Sequence, residues 1–200
     1  MMFPQGKPLP LSKKNNRMWN HTVAILMGGR SSRMGTPKHN VVLQNGKTMM
    51  DVMLQFARAT AKKTVVVGGD IDKQFSIHDH RPGLGPVAGI EALLTSNLDT
   101  RYLIVGCDMP LLRADTVQPL FVDGDAVFYS GKENNIPSSL PLVISSNCAE
   151  SCSSYLNNGG RSIHGFLREL TCTIVQKPDG VEQRLSSINT REQLDNCTLE

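Results

Sequence analysis

No stretch of the sequence is apolar for long enough to cross a bilayer. Its apolar runs, such as Val23–Met27 and Val65–Val67, fall far short of the roughly 20 residues that a membrane helix needs. A signal-peptide core is lacking too. The opening MMFPQGKPLPLSKKNNRMWNH mixes prolines with lysines and is expected to be a polar, flexible extension over residues 1–21. Excess charge is also missing: basic residues outnumber acidic ones 21 to 18. No long basic block occurs, and the aromatic residues do not alternate with cations, so nucleic acid is not an expected partner. The five cysteines form no CxxC pair. Cys148 and Cys152 have the spacing of a helical metal pair, but no histidine or second pair completes it. Reduced thiols in a cytoplasmic protein are the simpler reading.

What is present suits one compact domain, expected over residues 22–200. A chain of 200 residues with 40% hydrophobic and 20% charged content is large enough for a core of ordinary size. Short β-branched runs alternate with helical patterns. Strands are expected at Val23–Met27, Lys63–Val67, Arg101–Val105, Ala126–Tyr129, Leu140–Ile144 and Thr173–Gln176. Helices are expected at Thr48–Ala61, Val87–Thr95, Ala114–Phe121, Cys148–Leu156 and Ser162–Leu170, with a last short one from Thr190. That order argues for an α/β fold: a three-layer α/β/α sandwich around a mostly parallel, Rossmann-like sheet.

The densest chemistry lies in ILMGGRSSRMGTPK, residues 25–38. The strand Val23–Met27 ends at Gly28-Gly29, and ligands of open α/β sheets sit beyond the carboxyl ends of strands. Glycine lets a ligand approach bare backbone, and successive N–H groups can cradle an anion. Arg30, Arg33 and Lys38 add positive charge to the same loop. Each of these alone fits a solvated turn; together they are the parts of a polyphosphate site. The loop is not a Walker A motif, because Gly35 is followed by Thr36-Pro37-Lys38. The dinucleotide fingerprint fails as well, since Gly83-Leu84-Gly85-Pro86-Val87-Ala88-Gly89 has an extra residue and no strand before it.

Leu26-Met27-Gly28-Gly29-x-Ser31-x-Arg33-Met34-Gly35-x-x-Lys38 resembles the signature of the molybdenum-cofactor guanylyltransferase (MobA) family of nucleotidyltransferases. The resemblance continues through Leu43-x-x-Gly46-Lys47, Gly85-Pro86-Val87-Ala88-Gly89-Ile90 and Cys107-Asp108-Met109-Pro110. It extends to Tyr155-Leu156-x-x-Gly159-x-Arg161-Ser162 and Ile188-Asn189-Thr190, so it covers nearly all of the chain after residue 22. It implies a nucleotide-diphospho-sugar transferase-like fold and a reaction in which GTP and molybdopterin carrying molybdenum give the guanine dinucleotide cofactor and pyrophosphate. It implies Mg²⁺ as cofactor and a monomer with cofactor-synthesis or molybdoenzyme-maturation proteins as partners.

Carried over residue by residue, the resemblance gives Arg33, Lys38 and Asp108 catalytic roles. It places Leu26, Met27, Gly28, Gly29, Arg30, Lys38, Asp79, Gly85 and Asp108 at the nucleotide, with Asp108 as the metal ligand. Mg²⁺ commonly takes one or two carboxylates together with phosphate and water, and Asp108 follows the apolar run Tyr102–Val105. A turn or helix-capping role is the bland alternative for Asp108. The spacing from Asp79 to Gly85-Pro86 is compressed, and a solvated loop beside His78, His80 and Arg81 is its rival reading. Arg161 is a candidate for the pterin phosphate, or else a solvated cation at a helix start. Two departures bear on the base: Met27 stands where the family commonly has Ala, and Gly68-Gly69-Asp70 replaces a stretch that often holds a base-contacting Asn. The glycine pair favours GTP, and the cytidylyl-transferring relatives typically carry Ala-Ala-Gly there. A CTP-using or other-acceptor transferase and a non-catalytic nucleotide-binding relative remain the alternatives.

Overall fold

The computed structural model describes residues 19–27, 36–131 and 139–198. Seven strands form one sheet: β1 (Trp19–Leu26), β2 (Ala61–Val67), β3 (Ser76–Ile77), β4 (Arg101–Gly106), β5 (Ala126–Tyr129), β6 (Leu142–Ser145) and β7 (Cys172–Val175). Their order is β3-β2-β1-β4-β6-β5-β7. Every pairing is parallel except those of β6, which runs antiparallel to β4 and β5. The helices are α1 (Met49–Thr60), α2 (Pro86–Leu94), α3 (Ala114–Val117), α4 (Ala149–Asn157), α5 (Ile163–Arg168) and α6 (Arg191–Asp195).

The period-2 alternation of the strands divides the core in two. Val23, Ile25, Val66, Leu103, Val105, Val127 and Val143 face one side, where Met50, Met53, Leu54 and Ala57 of α1 cover them. Ala24, Leu26, Val65, Val67, Tyr102, Ile104, Phe128 and Ile144 face the other, beneath α2, α4 and α5. Strands buried on both faces read as unbroken apolar runs, and the expected three-layer α/β sandwich is what forms.

Several boundaries shift. β1 opens at Trp19, three residues before the start expected for the domain at residue 22. The helix expected over Ala114–Phe121 stops at Val117 and tightens into a 3₁₀ turn over Gln118–Leu120, where Pro119 has no N–H to continue an α-helix. β6 starts at Leu142, after Pro141. β3 escaped the sequence reading because two residues carry no period. Where Thr48 opens α1, a reciprocal capping box forms: the Asp51 N–H donates to the Thr48 hydroxyl at 3.0 Å, and the Thr48 N–H to the Asp51 carboxylate at 2.9 Å. Among the described residues no helix is long and apolar enough to cross a membrane.

From β1 the chain builds outward to β2 and β3, then returns to lay β4 on the other flank of β1. The order therefore reverses between β1 and β4, and their carboxyl ends open a crevice there. The Cys107 N–H donates to the Leu26 carbonyl at 3.0 Å, which fixes the two strand ends side by side.

Candidate active site

Lys38 and Asp108 meet at this crevice. Lys38 begins a 3₁₀ turn, Lys38–Asn40, and its Nζ donates to Asp108 Oδ2 at 2.6 Å. Both side chains keep only a small opening to solvent, 16% and 15% of their surface. A third residue completes the group: Nζ also donates to Asn189 Oδ1. The Asn189 amide in turn donates through Nδ2 to the Ser187 carbonyl at 3.1 Å, and Asp108 accepts through its own carbonyl from the Ile188 N–H at 2.8 Å.

Asn189 is held by the start of α6. The Gln193 Oε1 accepts from the N–H groups of Asn189 and Thr190 at 2.7 and 3.1 Å, and the Thr190 hydroxyl accepts from the Gln193 N–H at 3.2 Å. A small cluster of Val41, Leu43, Met49, Ile188, Leu194 and Cys197 presses this C-terminal segment onto the turn that carries Lys38. Residues 151 positions apart are thereby brought to one point. Asn189 was absent from the expected site residues. The signals near it were the family-like segment Ile188-Asn189-Thr190 and the capping pattern Thr190-x-x-Gln193, which mark a helix start but name no partner.

Asp79 stands at the neighbouring strand ends. A Cβ built on Gly89 would lie 3.0 Å from Asp79 Oδ1, a tight approach that the glycine avoids, and one on Gly68 would lie 3.6 Å from it, so the carboxylate sits between these two backbones. That Oδ1 is buried and has no hydrogen-bond partner among the described residues. Burial raises the Asp79 pKa, against the opposing influence of His78 and His80. The His-Asp-His run does not converge: His78 Nε2 instead lies 3.2 Å from Asp70 Oδ1 on the exposed surface. Among the described residues no group of three His, Cys, Asp or Glu side chains is placed to hold a metal ion.

The sign of the Asp79 shift gives a measurable consequence. Its native pKa lies above the unfolded value, so the ionised form is penalised in the fold at neutral pH and the penalty vanishes once both states are protonated. Asp79→Asn is expected to raise the thermal midpoint of the ligand-free protein at pH 7, with the gain disappearing as pH falls below about 4. A gain that persists unchanged at low pH would show that burial of the charge is not its source.

The other expected residues divide clearly. Leu26 is 6% exposed, turns its side chain into the α2-side core, and spends its carbonyl on Cys107, so it offers no side-chain group to the crevice. Met27 keeps its place in the ladder, its N–H donating to the Val67 carbonyl at 2.9 Å. Its thioether lies against Gly69, where an added Cβ would be 2.7 Å from Sδ. The two departures from the family pattern are therefore one compensated contact: the larger residue at 27 occupies the space that a side chain at 69 would need. Gly85 caps α2 with φ +81, a left-handed conformation, and packs on the Arg161 carbonyl, to which an added Cβ would approach within 3.0 Å. The Arg161 guanidinium engages the neighbouring backbone through Nη1. It donates to the Leu156 and Gly160 carbonyls at 3.0 and 2.6 Å, closing the end of α4. Gly28, Gly29, Arg30 and Arg33 lie outside the described residues.

The cysteines are free thiols, four of them buried. Burial pushes the Cys148 and Cys152 pKa values up to about 11 and about 12, in keeping with the reduced thiols expected at these positions rather than a metal pair.

An open, mostly parallel sheet with a lysine–carboxylate pair at its reversal point has the form of a nucleotidyltransferase. The sequence profile of the MobA-like NTP transferase domain matches residues 23–179, and the chain belongs to that family of enzymes. It is 29% identical over 178 residues to the molybdenum cofactor guanylyltransferase of Xanthomonas euvesicatoria pv. vesicatoria, covering 88% of this chain and 93% of that protein. It is 26% identical over 151 residues to the protein of the same name from Shewanella sp. (strain MR-4), covering 70% and 76%. Among solved structures, molybdopterin-guanine dinucleotide biosynthesis protein A from Archaeoglobus fulgidus matches with a TM-score of 0.74 and 24% identity, over 88% of this chain and 95% of that one. The 2-C-methyl-D-erythritol 4-phosphate cytidylyltransferase from Thermus thermophilus matches with 0.67 and 13%, over 89% and 97%. The two structural likenesses establish a shared fold.

Proposed function

We propose that the chain transfers GMP from GTP to the terminal phosphate of molybdopterin carrying molybdenum, giving the guanine dinucleotide cofactor and pyrophosphate. An oxygen of the pterin phosphate bonds to the α-phosphorus while the bond to the β-phosphate oxygen breaks. Such a transfer asks the protein mainly to align the groups and to neutralise growing negative charge. The observation that carries the reading is the Lys38–Asp108–Asn189 group at the β1–β4 crevice. Lys38 supplies a point charge for the triphosphate. The sequence adds Arg30 and Arg33 beside Gly28-Gly29 as further cations and bare backbone. Asp79 and Gly85 border the nucleotide in this reading.

The donor set fits a divalent cation. A carboxylate oxygen of Asp108 and an amide oxygen of Asn189, both hard ligands, converge on one ammonium group, which stands where another cation is accepted. Asp108 and Asn189 would hold Mg²⁺, which when bound neutralises phosphate charge. Release of Asp108 leaves Lys38 free to turn to the phosphates.

A cytidylyl transfer is the second reading, kept because Met27 and Gly69, the two positions that depart from the family resemblance beside the base, are in contact here. Calorimetric titration with GTP, CTP and ATP, each with Mg²⁺, separates the two. The proposal expects GTP-selective binding that weakens in Asp108→Ala. CTP preference would move the protein to the cytidylyl reading, and a protein that binds none of the three would overturn both.

A further inference from the structure

Glu91 is the one charged residue within α2, where every residue from Val87 to Leu94 is buried. Its side chain is 5% exposed, and its Oε2 has no hydrogen-bond partner among the described residues. Oε1 faces Arg81 Nη2 at 3.1 Å. The other arm of the same guanidinium, Nη1, donates to Asn157 Oδ1 at 2.6 Å, at the last residue of α4. Arg81 thus forks across α2 and α4, two residues beyond Asp79. The Arg81 side chain is 33% exposed, so the pair is buried only on the Glu91 side. Such a pair is a weak source of net stability, because the cost of desolvating the carboxylate offsets much of the attraction and solvent screens the rest. What the pair does supply is geometry: a planar fork with two fixed directions.

We propose that Arg81 is a positioning residue for Asp79. Anchored on Glu91 and Asn157, it fixes the segment between β3 and α2, so that the Asp79 carboxylate stays between Gly68 and Gly89 and faces the nucleotide. The inference rests on the nucleotide-site reading of Asp79 given above. Glu91 acts one step further back, by fixing the arm of Arg81 that lies on α2.

The test compares the wild type, Asp79→Asn, Arg81→Lys, the double variant Arg81→Met with Glu91→Leu, and the triple variant. GTP with Mg²⁺ is the probe, and thermal midpoints are recorded alongside. The apolar double variant is expected to keep a midpoint near that of the wild type. Its KM for GTP should rise about tenfold while kcat stays within about twofold, as for loss of an interaction that orients rather than reacts. Adding Asp79→Asn to that background should then cost little more, because both changes act through one carboxylate. Arg81→Lys keeps the charge opposite Glu91 but cannot span both helices. It should raise KM by a smaller factor, and it provides the same comparison if the double variant does not fold.

Wild-type KM in both the Arg81→Lys and the double variant, with a raised KM in Asp79→Asn, would overturn the positioning role and leave the site reading standing. Full additivity of the Asp79 and Arg81 changes would overturn it in the same way. No effect of Asp79→Asn would remove the site reading of Asp79 and the inference with it.

Discussion

Asp108→Asn is expected to lower the rate of nucleotidyl transfer by about 10³-fold, the scale of losing one preorganised charge-stabilising group. The substitution keeps the size of the side chain and removes its negative charge. Lys38 then has no carboxylate partner, and the only charged oxygen donor of the group is lost. The fold should survive, because the backbone contacts of this segment do not involve the carboxylate. The Cys107 N–H still reaches Leu26, and the Asp108 carbonyl still accepts from Ile188. Asn189→Ala should act in the same direction but less strongly, by about 10- to 100-fold, as expected of a residue that orients a primary group. Steady-state rates with GTP and a melting curve for each variant check both statements. Wild-type turnover in Asp108→Asn would remove the catalytic role of the pair.

The second large effect falls on stability. Leu103 lies in the middle of β4, fully buried against the α1-side core and flanked by β1 and β6. Leu103→Ala removes buried methylene and methyl groups at a place where rigid strands on both sides limit collapse. The expected cost is about 3 kcal/mol, within the range for such truncations. Against a total stability of about 5–15 kcal/mol for an ordinary domain, this is a large share. In a protein of this size it corresponds to a fall of roughly 10 °C in the thermal midpoint. At a temperature well below that midpoint, kcat should stay close to the wild-type value, because Leu103 faces the core and not the crevice. A variant with an unchanged midpoint and reduced kcat would contradict the division between scaffold and site.

Much of this arrangement was legible because the strands are buried on both faces. Runs such as Val23–Met27 and Tyr102–Val105 are apolar without interruption, which marks them as central. Asp108, which follows the second of these runs, is then placed at the sheet edge by topology alone. The helix starts at Thr48 and Thr190 were legible too, since each carries the local chemistry of a cap. What the sequence did not disclose depends on tertiary meetings. Nothing local pairs Lys38 with Asn189, because the apolar cluster that joins them draws on both ends of the domain. The reversed direction of β6 leaves no trace in its composition, as parallel and antiparallel central strands are equally apolar. Arg81 reads as a neighbour of Asp79 in a solvated loop, and its meeting with Glu91 and Asn157 depends on the packing of α2 against α4. For Arg161 the sequence left a pterin phosphate or a solvated helix start open, and the structure shows its Nη1 on the carbonyls that close α4.

The most direct test of the whole account is transfer itself. The purified protein is incubated with molybdopterin carrying molybdenum, Mg²⁺ and GTP labelled at the α-phosphate. The account predicts label in a guanine dinucleotide product with one pyrophosphate released per turnover, and neither event in Asp108→Asn. Pyrophosphate release that follows CTP instead of GTP, or label transfer that survives the loss of the Asp108 carboxylate, would contradict it.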